Sequence, residues 1–407
     1  MSSGRLFLAA ASKALSAVEI DPGRSNQHEL AAGRLRPMLL QHGLVQAEEE
    51  LRRLDVTLHR LEDDAEPLSA ADVLTVYDAR RHNPDRSPDW RLYYGSTTPG
   101  EELLHGMEEG DLLAFLIDRD HDLHIVLASQ GSQWARVMRR AFALDTTAQL
   151  QLAPDAELEA SQDRSPVTLI ADQLGIRPDT ETDREWLLSH FEGEWPEELP
   201  STAEMARLAR LRSPVEPDAA AADVVLTEWL ETETRLFYVI EEVVGTRRLD
   251  RCETFDERVT VVMSVLQSRR ARRGYSFEHH LEGVFDLRGV RFEKQVETEP
   301  GSVSDFIIPG LASYMLEQQP MPRALHLGAK STARERWKQV LSEAQRLDEK
   351  HLATLDAQLS TASLDAMAAA GVQVVMPETV GELYGRGEIL TVEDFIDKAR
   401  TVSSRRS

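Results

Sequence analysis

The segment GAKSTARERWKQVLSEA (328–344) places Lys330, Arg334, Arg336 and Lys338 within nine positions of a chain whose formal net charge is −24. It continues RALHLGAK (323–330), an apolar run that reads as a buried strand closed by a lysine, and it carries helical spacing over 333–347. SDFIIPG (304–310) and VRFEKQVE (290–297) precede it as strands. HLATLD (351–356), the helix STASLDAMAAAG (360–371) and the strand VQVVMP (372–377) follow. Strands and helices alternating in this way predict an α/β core around a mixed sheet. The charges raise a separate question. Arg334 and Arg336 fall in the first predicted turn, where a cation costs roughly 0.3–1 kcal/mol against the helix dipole. A polyanion docked there would offset that cost.

Three residues of this core can converge. Asp305 sits on an apolar strand, Lys330 ends another, and Glu343 lies thirteen residues later on the predicted helix. Arg336, Val340 and Glu343 are spaced by four and three, so they share one helix face. That face packs back over the sheet, which brings Glu343 toward Asp305. Two carboxylates and an ammonium around one cleft suit a divalent, oxygen-ligated cation and a water oriented beside a phosphate. Glu282, on the preceding helical run SFEHHLEGVFDLRG (276–289), is a candidate fourth member. Singly, each has an ordinary structural role: a strand-end charge, a snorkelling lysine, an exposed salt-bridging glutamate. The combination is more specific than its members.

The 407 residues suffice for two domains and a sizeable core, and 42% hydrophobic with 29% charged residues is ordinary globular composition. SGRLFLAAASKALSA (3–17) is interrupted by Lys13 and lacks the plan of a secretion signal, so it reads as an amphipathic opening helix. No run approaches the ~18 apolar residues of a membrane span, which makes the cytoplasm the plain expectation. Cys252 is the only cysteine, which excludes an intramolecular disulfide and a thiolate zinc cluster. The acidity is concentrated in residues 151–250. The C-terminal third is near neutral and holds a second basic patch, SRRARRG (268–274). A distant acidic segment is screened beyond ~8 Å, so global acidity does not argue against nucleic acid. Arg270, Arg272 and Arg273 are read as phosphate contacts, with a solvated helix end as the ordinary alternative.

Residues 1–148 predict a first, α+β and barrel-like domain. Its β-like runs are VTLHRL (56–61), WRLYYG (90–95) and LLAFLIDRDHDLHIVLAS (112–129), the last folding at Asp118 to Asp122 into a hairpin. Residues 149–222, punctuated by prolines and carrying EGEWPEELP (192–200), read as an acidic linker with short helical patterns. Residues 223–407 form the second domain.

The order SRRARRGYSFEHHLEGVF, SDFIIPG, GAKSTARERWKQVLSEA, HLATLD and VQVVMP resembles the catalytic domain of the EcoRII restriction endonuclease family. The likeness covers about 223–385 and is fainter toward the N-terminus. The pattern also resembles the PD-(D/E)XK nuclease core, in a variant form. The position two before the lysine, usually acidic, is Gly328, so the second carboxylate has to come from Glu343. What the resemblance implies is a restriction-endonuclease-like mixed-sheet catalytic domain behind a B3-like pseudobarrel effector domain. Together they would make a Mg²⁺-dependent type II restriction endonuclease, a homodimer on double-stranded DNA. A DNA cytosine methyltransferase would be its genetic partner. Asp305 and Glu343 match metal-binding acids, Lys330 the active-site lysine, Glu282 a supporting acid and Tyr314 an active-site tyrosine. Arg334-Glu335-Arg336 matches an element that reads CC·GG pairs. Arginine offers two donors to guanine, and a carboxylate accepts from the cytosine amino group. Thr332 to Glu335 also satisfies a capping box, so Glu335 is a cap, a base reader or both. Asn26, His28, Arg81, Arg86 and Arg91 would carry the effector domain's contacts. A repair or modification-dependent endonuclease on the same core, or a non-catalytic DNA-binding regulator, are the alternatives.

Overall fold

The computed structural model describes residues 6–20, 29–31, 33–47, 49, 51–63, 67–80, 82, 87–95, 98–144, 147–154, 158, 165–176, 181–316, 324–334 and 336–404. They fall into two units, 1–178 and 179–407. Asn26, His28, Arg81, Arg86 and Glu335 lie outside the described residues, as do the side chains of Arg270 and Arg273.

The first unit is built on one eight-stranded sheet in the order β2-β5-β4-β3-β7-β6-β1-β8. The strands are β1 (Phe7–Ala14), β2 (Glu29–Ala31), β3 (Leu51–Leu61), β4 (Leu68–Asp78), β5 (Trp90–Tyr93), β6 (Leu112–Asp118), β7 (Leu123–Ala128) and β8 (Gln151–Leu152). All neighbours are antiparallel except β3 and β7. The β6–β7 hairpin forms as expected, and every residue of both strands is buried. Its turn is tied by Asp118, whose Oδ1 accepts from the amides of Asp120 and Asp122. The opening helix expected over 3–17 is corrected: residues 7–14 are β1, paired with β6. Four alanines let this strand lie close against a central strand buried on both faces, and tertiary pairing overrides helix propensity.

A buried polar chain crosses this sheet. His59 Nδ1 lies 2.8 Å from Ser69 Oγ, His59 Nε2 3.1 Å from His124 Nδ1, and His124 Nε2 3.2 Å from Asp118 Oδ2. Burial, then the neighbouring His124, lowers the His59 pKa from 6.5 to about 3. Its longer helices are α1 (Gln133–Phe142) and α2 (Ser165–Leu174), beside the short turns Ala17–Ile20, Arg36–Gln41 and Pro99–Leu104.

The segment read as a linker divides between the two units. Its later part forms α3 (Glu181–His190) and α4 (Thr202–Arg212). Leu187, Met205, Leu208 and Ala209 there join Leu236, Phe237, Ile240 and Val244 of the next helix in one apolar cluster. That next helix is α5 (Ala222–Asp250), followed by α6 (Phe255–Leu287). The two patterns around SRRARRG are one uninterrupted 33-residue helix, opened by a Thr254/Glu257 capping box. Hence SRRARRG is not a helix end. Arg269 makes a two-pronged bond to Glu241 at 2.6 Å, and Arg272 lies 3.5 Å from Glu233 with its guanidinium 4.5 Å from the Phe237 ring centre. These pairs clamp α6 to α5 across the position where Gly274 costs helix stability. Arg272 is therefore buried, with its charge paired to Glu233 inside the helix pair.

The core of the second unit is a five-stranded mixed sheet, β13-β12-β11-β10-β9. Its strands are β9 (Glu293–Glu299), β10 (Ser302–Ile308), β11 (Leu325–Ala329), β12 (Lys350–Ala353) and β13 (Val372–Val375). β9, β10 and β11 are antiparallel, whereas β11, β12 and β13 run parallel. Phe277, Leu281, Val284 and Phe285 from α6 pack on Phe306, Ile308, Leu325 and Leu327 of the sheet. Further helices are α7 (Leu311–Met315), α8 (Trp337–Val340), α9 (Thr361–Ala369) and α10 (Val392–Ser404), with a short helical stretch over Glu378–Gly381 and Glu382–Tyr384.

The helix expected over 333–347 is reduced to α8, a single turn. Beyond Val340, tertiary bonds replace the helical ones. Leu341 O accepts from Lys350 Nζ at 2.6 Å, and Ser342 O from Ser302 Oγ at 3.1 Å. Ala344 N donates to Thr298 Oγ1, Gln345 N donates to Glu299 Oε1, and Ala344 adopts φ +43°.

Candidate active site

Asp305 lies in β10, and the β10–β11 register pairs Phe306 with Leu327, so Gly328 comes level with Asp305. The carboxylate is held at several points. Its Oδ2 accepts from Ala329 N at 2.8 Å and from Lys330 Nζ at 2.5 Å. Its Oδ1 accepts from Gln295 Nε2 at 3.3 Å. Asp305 is buried, and the Lys330 side chain is nearly so, at 11% exposure. A buried ammonium without a partner would be costly; here the carboxylate supplies one.

Glu343 reaches the same face of the sheet from the irregular segment after α8, not from a helix. Its Oε2 lies 2.8 Å from Nε2 of His326, which is fully buried on β11 two residues before Gly328. A Cβ placed on Gly328 would stand 2.8 Å from Val340 Cγ2, 3.7 Å from His326 Cε1 and 3.9 Å from Asp305 Oδ2. The space an acidic side chain would need at 328 is thus filled by Val340. Glu343, three residues beyond Val340, brings a carboxylate to this face through its contact with His326.

The helix acid of this site is not the one expected. Glu282 is bonded through both oxygens to Lys294 Nζ at 2.7 Å, and it does not contact Asp305. Glu278, one turn earlier on α6, is the acid beside the Asp305–Lys330 pair. Burial and then the Asp305 charge push its carboxyl up to about 7, with Lys330 pulling the other way. Gln295 Nε2 joins it to the pair, 3.3 Å from Glu278 Oε2. Glu278 and Glu282 are four apart and share a helix face. Both stand in SFEHHLEGVF; what separates them is the position of Lys294 on β9, which the sequence pattern does not carry.

Tyr314 is buried on α7 among Ile307, Ala324, Ala344 and Leu347. Its hydroxyl bonds Glu299 and accepts from Arg346 N at 3.2 Å. Burial, then Glu299, raises its pKa to about 12. In this arrangement Tyr314 and Glu299 pin the backbone that follows Glu343.

The segment from Ser331 to Arg336 is anchored by Asp356, whose Oδ2 accepts from Ala333 N at 2.9 Å and Arg334 N at 3.4 Å. An acid from the loop after β12 therefore caps this turn. Arg334 is half-buried and bonded to Gln358, while Arg336 is exposed. With one helical turn and an acidic cap, little dipole opposes these cations. In the first unit, Arg91 bonds Asp89 at 2.9 Å and Glu29 at 3.2 Å, so its charge is compensated within the sheet.

Among the described residues no three His, Cys, Asp or Glu side chains form a ready metal cluster. The donor set nonetheless fits a hard divalent cation of the kind that one or two carboxylates and several waters hold. Asp305 and Glu343 offer oxygen ligands only, and Glu343 Oε1 is not engaged by any described residue.

Residues 237–396 match the domain family described as EcoRII C terminal. The chain is 29% identical over 214 residues to the type II restriction enzyme EcoRII of Escherichia coli, covering 50% of this chain and 51% of that one. It is 30% identical over 157 residues to the type II restriction enzyme SsoII of Shigella sonnei, covering 36% and 50%. The chain thus spans about half the length of the curated relatives it matches. Among solved structures, metal-depleted Ecl18kI in complex with uncleaved DNA overlaps at 23% identity and TM-score 0.43, over 56% of this chain and 87% of that one. A complex of the restriction endonuclease PspGI with substrate DNA overlaps at 19% and 0.42, over 51% and 95%. Overlaps this loose carry no argument about the site; what the comparisons show is that residues 237–396 of this chain match the EcoRII C-terminal domain family.

Proposed function

We propose that the chain is a type II restriction endonuclease hydrolysing phosphodiesters of double-stranded DNA. The observation that carries this reading is the Lys330–Asp305 contact of 2.5 Å, with Glu343 and Glu278 around it, inside the family-matched segment. Asp305 and Glu343 would hold Mg²⁺, which supplies charge neutralisation at the scissile phosphate and a more acidic water. Lys330, fixed by Asp305, directs an ammonium at the charge that develops on the phosphate oxygens.

Arg334 and Arg336, with Glu335 between them, would read a CC/GG-containing site, CCWGG-like, from the turn that Asp356 holds in place. Guanine offers two acceptors to each arginine. A palindromic site calls for a two-fold pair of catalytic domains, so the functional form would be a homodimer. The first unit would bind a second copy of the site, and a cytosine methyltransferase would protect host DNA. Incubating the protein with sequenced DNA and Mg²⁺ tests the reading: discrete cuts at one repeated sequence support it. Cutting of methylated DNA alone would instead indicate a modification-dependent nuclease, and binding without cleavage a regulator.

A further inference from the structure

Gln295 sits in β9 with φ +51°, the left-handed region, although it is neither glycine nor at a turn. Its immediate neighbours keep their pairing across to β10, Lys294 with Phe306 and Val296 with Ser304, so the left-handed residue falls opposite Asp305, apart from the register shift farther along between Ser302 and Val303. A side chain with a Cβ rarely adopts this conformation unless its surroundings impose it, and such strain gathers at functional sites. The side chain shows what the conformation achieves. One carboxamide nitrogen lies 3.3 Å from Glu278 Oε2 and 3.3 Å from Asp305 Oδ1. Asp305 Oδ2 is already held by Lys330 and Ala329, so Gln295 determines where the other oxygen stands.

We propose that Gln295 is a positioning residue, held in a strained backbone so that its side-chain amide, braced on Glu278, fixes the orientation of the Asp305 carboxylate that would bind a divalent cation. The inference rests on the cation-dependent reading of the site. It separates two effects that a structural residue would couple. A glycine at 295 tolerates φ +51° at no steric cost but has no amide. A plain turn position would accept Gly without loss; a merely stabilising side chain would lose stability and function together.

The test compares wild type, Gln295→Gly, Gln295→Asn and Lys330→Ala for Mn²⁺ binding by calorimetry, thermal midpoint, and kcat and KM for DNA. Gln295→Gly is expected to melt no lower than wild type, to bind Mn²⁺ about tenfold more weakly, and to lose about tenfold in kcat at unchanged KM. That is the scale of one hydrogen bond to a charged group. Gln295→Asn keeps the backbone conformation with an amide too short to reach both acids, and it should resemble Gln295→Gly. Wild-type Mn²⁺ affinity in both variants would overturn the proposal, as would a fall in thermal midpoint matching the loss of affinity. If wild type binds Mn²⁺ but cuts no DNA, the nuclease reading fails while the Mn²⁺ comparison still decides the role of Gln295.

Discussion

Val340 Cγ2 occupies the place beside Gly328 where a side chain at 328 would have to stand, 2.8 Å from the position of its Cβ. This packing contact crowds any side chain two residues before Lys330, and under the proposed reading Glu343 supplies the second carboxylate instead. Replacing Gly328 by Asp would overpack this site and destabilise the protein by about 1–3 kcal/mol. Denaturant titration would show a lower midpoint at unchanged slope. Adding Val340→Ala should recover part of the loss, whereas equal stability of the single and double variants would count against the steric account.

Glu278 and Glu282 offer a sharp comparison. Glu278→Gln is expected to lower cleavage by tenfold or more, because the acid stands beside Asp305 and Lys330. Glu282→Gln should stay within about twofold, since it breaks partly exposed pairs with Lys294 and His279, each worth about 0–1 kcal/mol. Rates measured at saturating DNA would separate the two; the reverse ranking would return the catalytic acid to Glu282.

His326 orients Glu343 through the 2.8 Å contact to its Oε2. His326→Leu would leave a buried carboxylate oxygen unpaired, at a cost of about 1–3 kcal/mol or more. Cleavage should fall with it, and His326→Gln should restore part of both. Unaltered activity in His326→Leu would show that Glu343 is held by other means.

The His59 pair gives a pH prediction away from the site. Its folded pKa, about 3, lies below the ordinary 6.5, so the folded chain refuses a proton that the unfolded chain accepts. Stability from this group is complete above about pH 6.5 and is lost as the pH falls toward 3. Thermal midpoints recorded across that interval should decline, and His59→Gln should flatten the decline. An identical slope in the variant would assign the acid sensitivity elsewhere.

Much of the second unit was legible because its signals are local. Apolar runs of four to seven residues bounded by Gly and Pro gave the strands around Asp305 and Lys330, and their alternation with helices gave the mixed sheet. The N-terminal hairpin was equally readable from Leu112 to Ala128. What was not legible depends on tertiary partners. The run from Ala333 to Leu347 has helical spacing, but Lys350, Ser302, Thr298 and Glu299 capture its backbone groups and unwind it after Val340. The alanine-rich opening strand has helix-forming composition and is made a strand by pairing with β6. SRRARRG reads as a set of phosphate contacts, or a solvated helix end, because its charges are visible in sequence while the α5 acids that pair with Arg269 and Arg272 stand 28 and 39 residues away. The choice of Glu278 over Glu282 turned on Lys294 in another element.

Lys330 and Asp305 together are the centre of the account. The direct measurement is Mg²⁺-dependent cleavage of a sequenced DNA by wild type and by Lys330→Ala, with DNA binding followed in parallel. The account predicts discrete cuts at one recurring sequence for wild type, and a loss of at least a hundredfold in cleavage with DNA binding retained for the variant. Equal cleavage by both proteins, or no cleavage by wild type under any divalent cation, would contradict it.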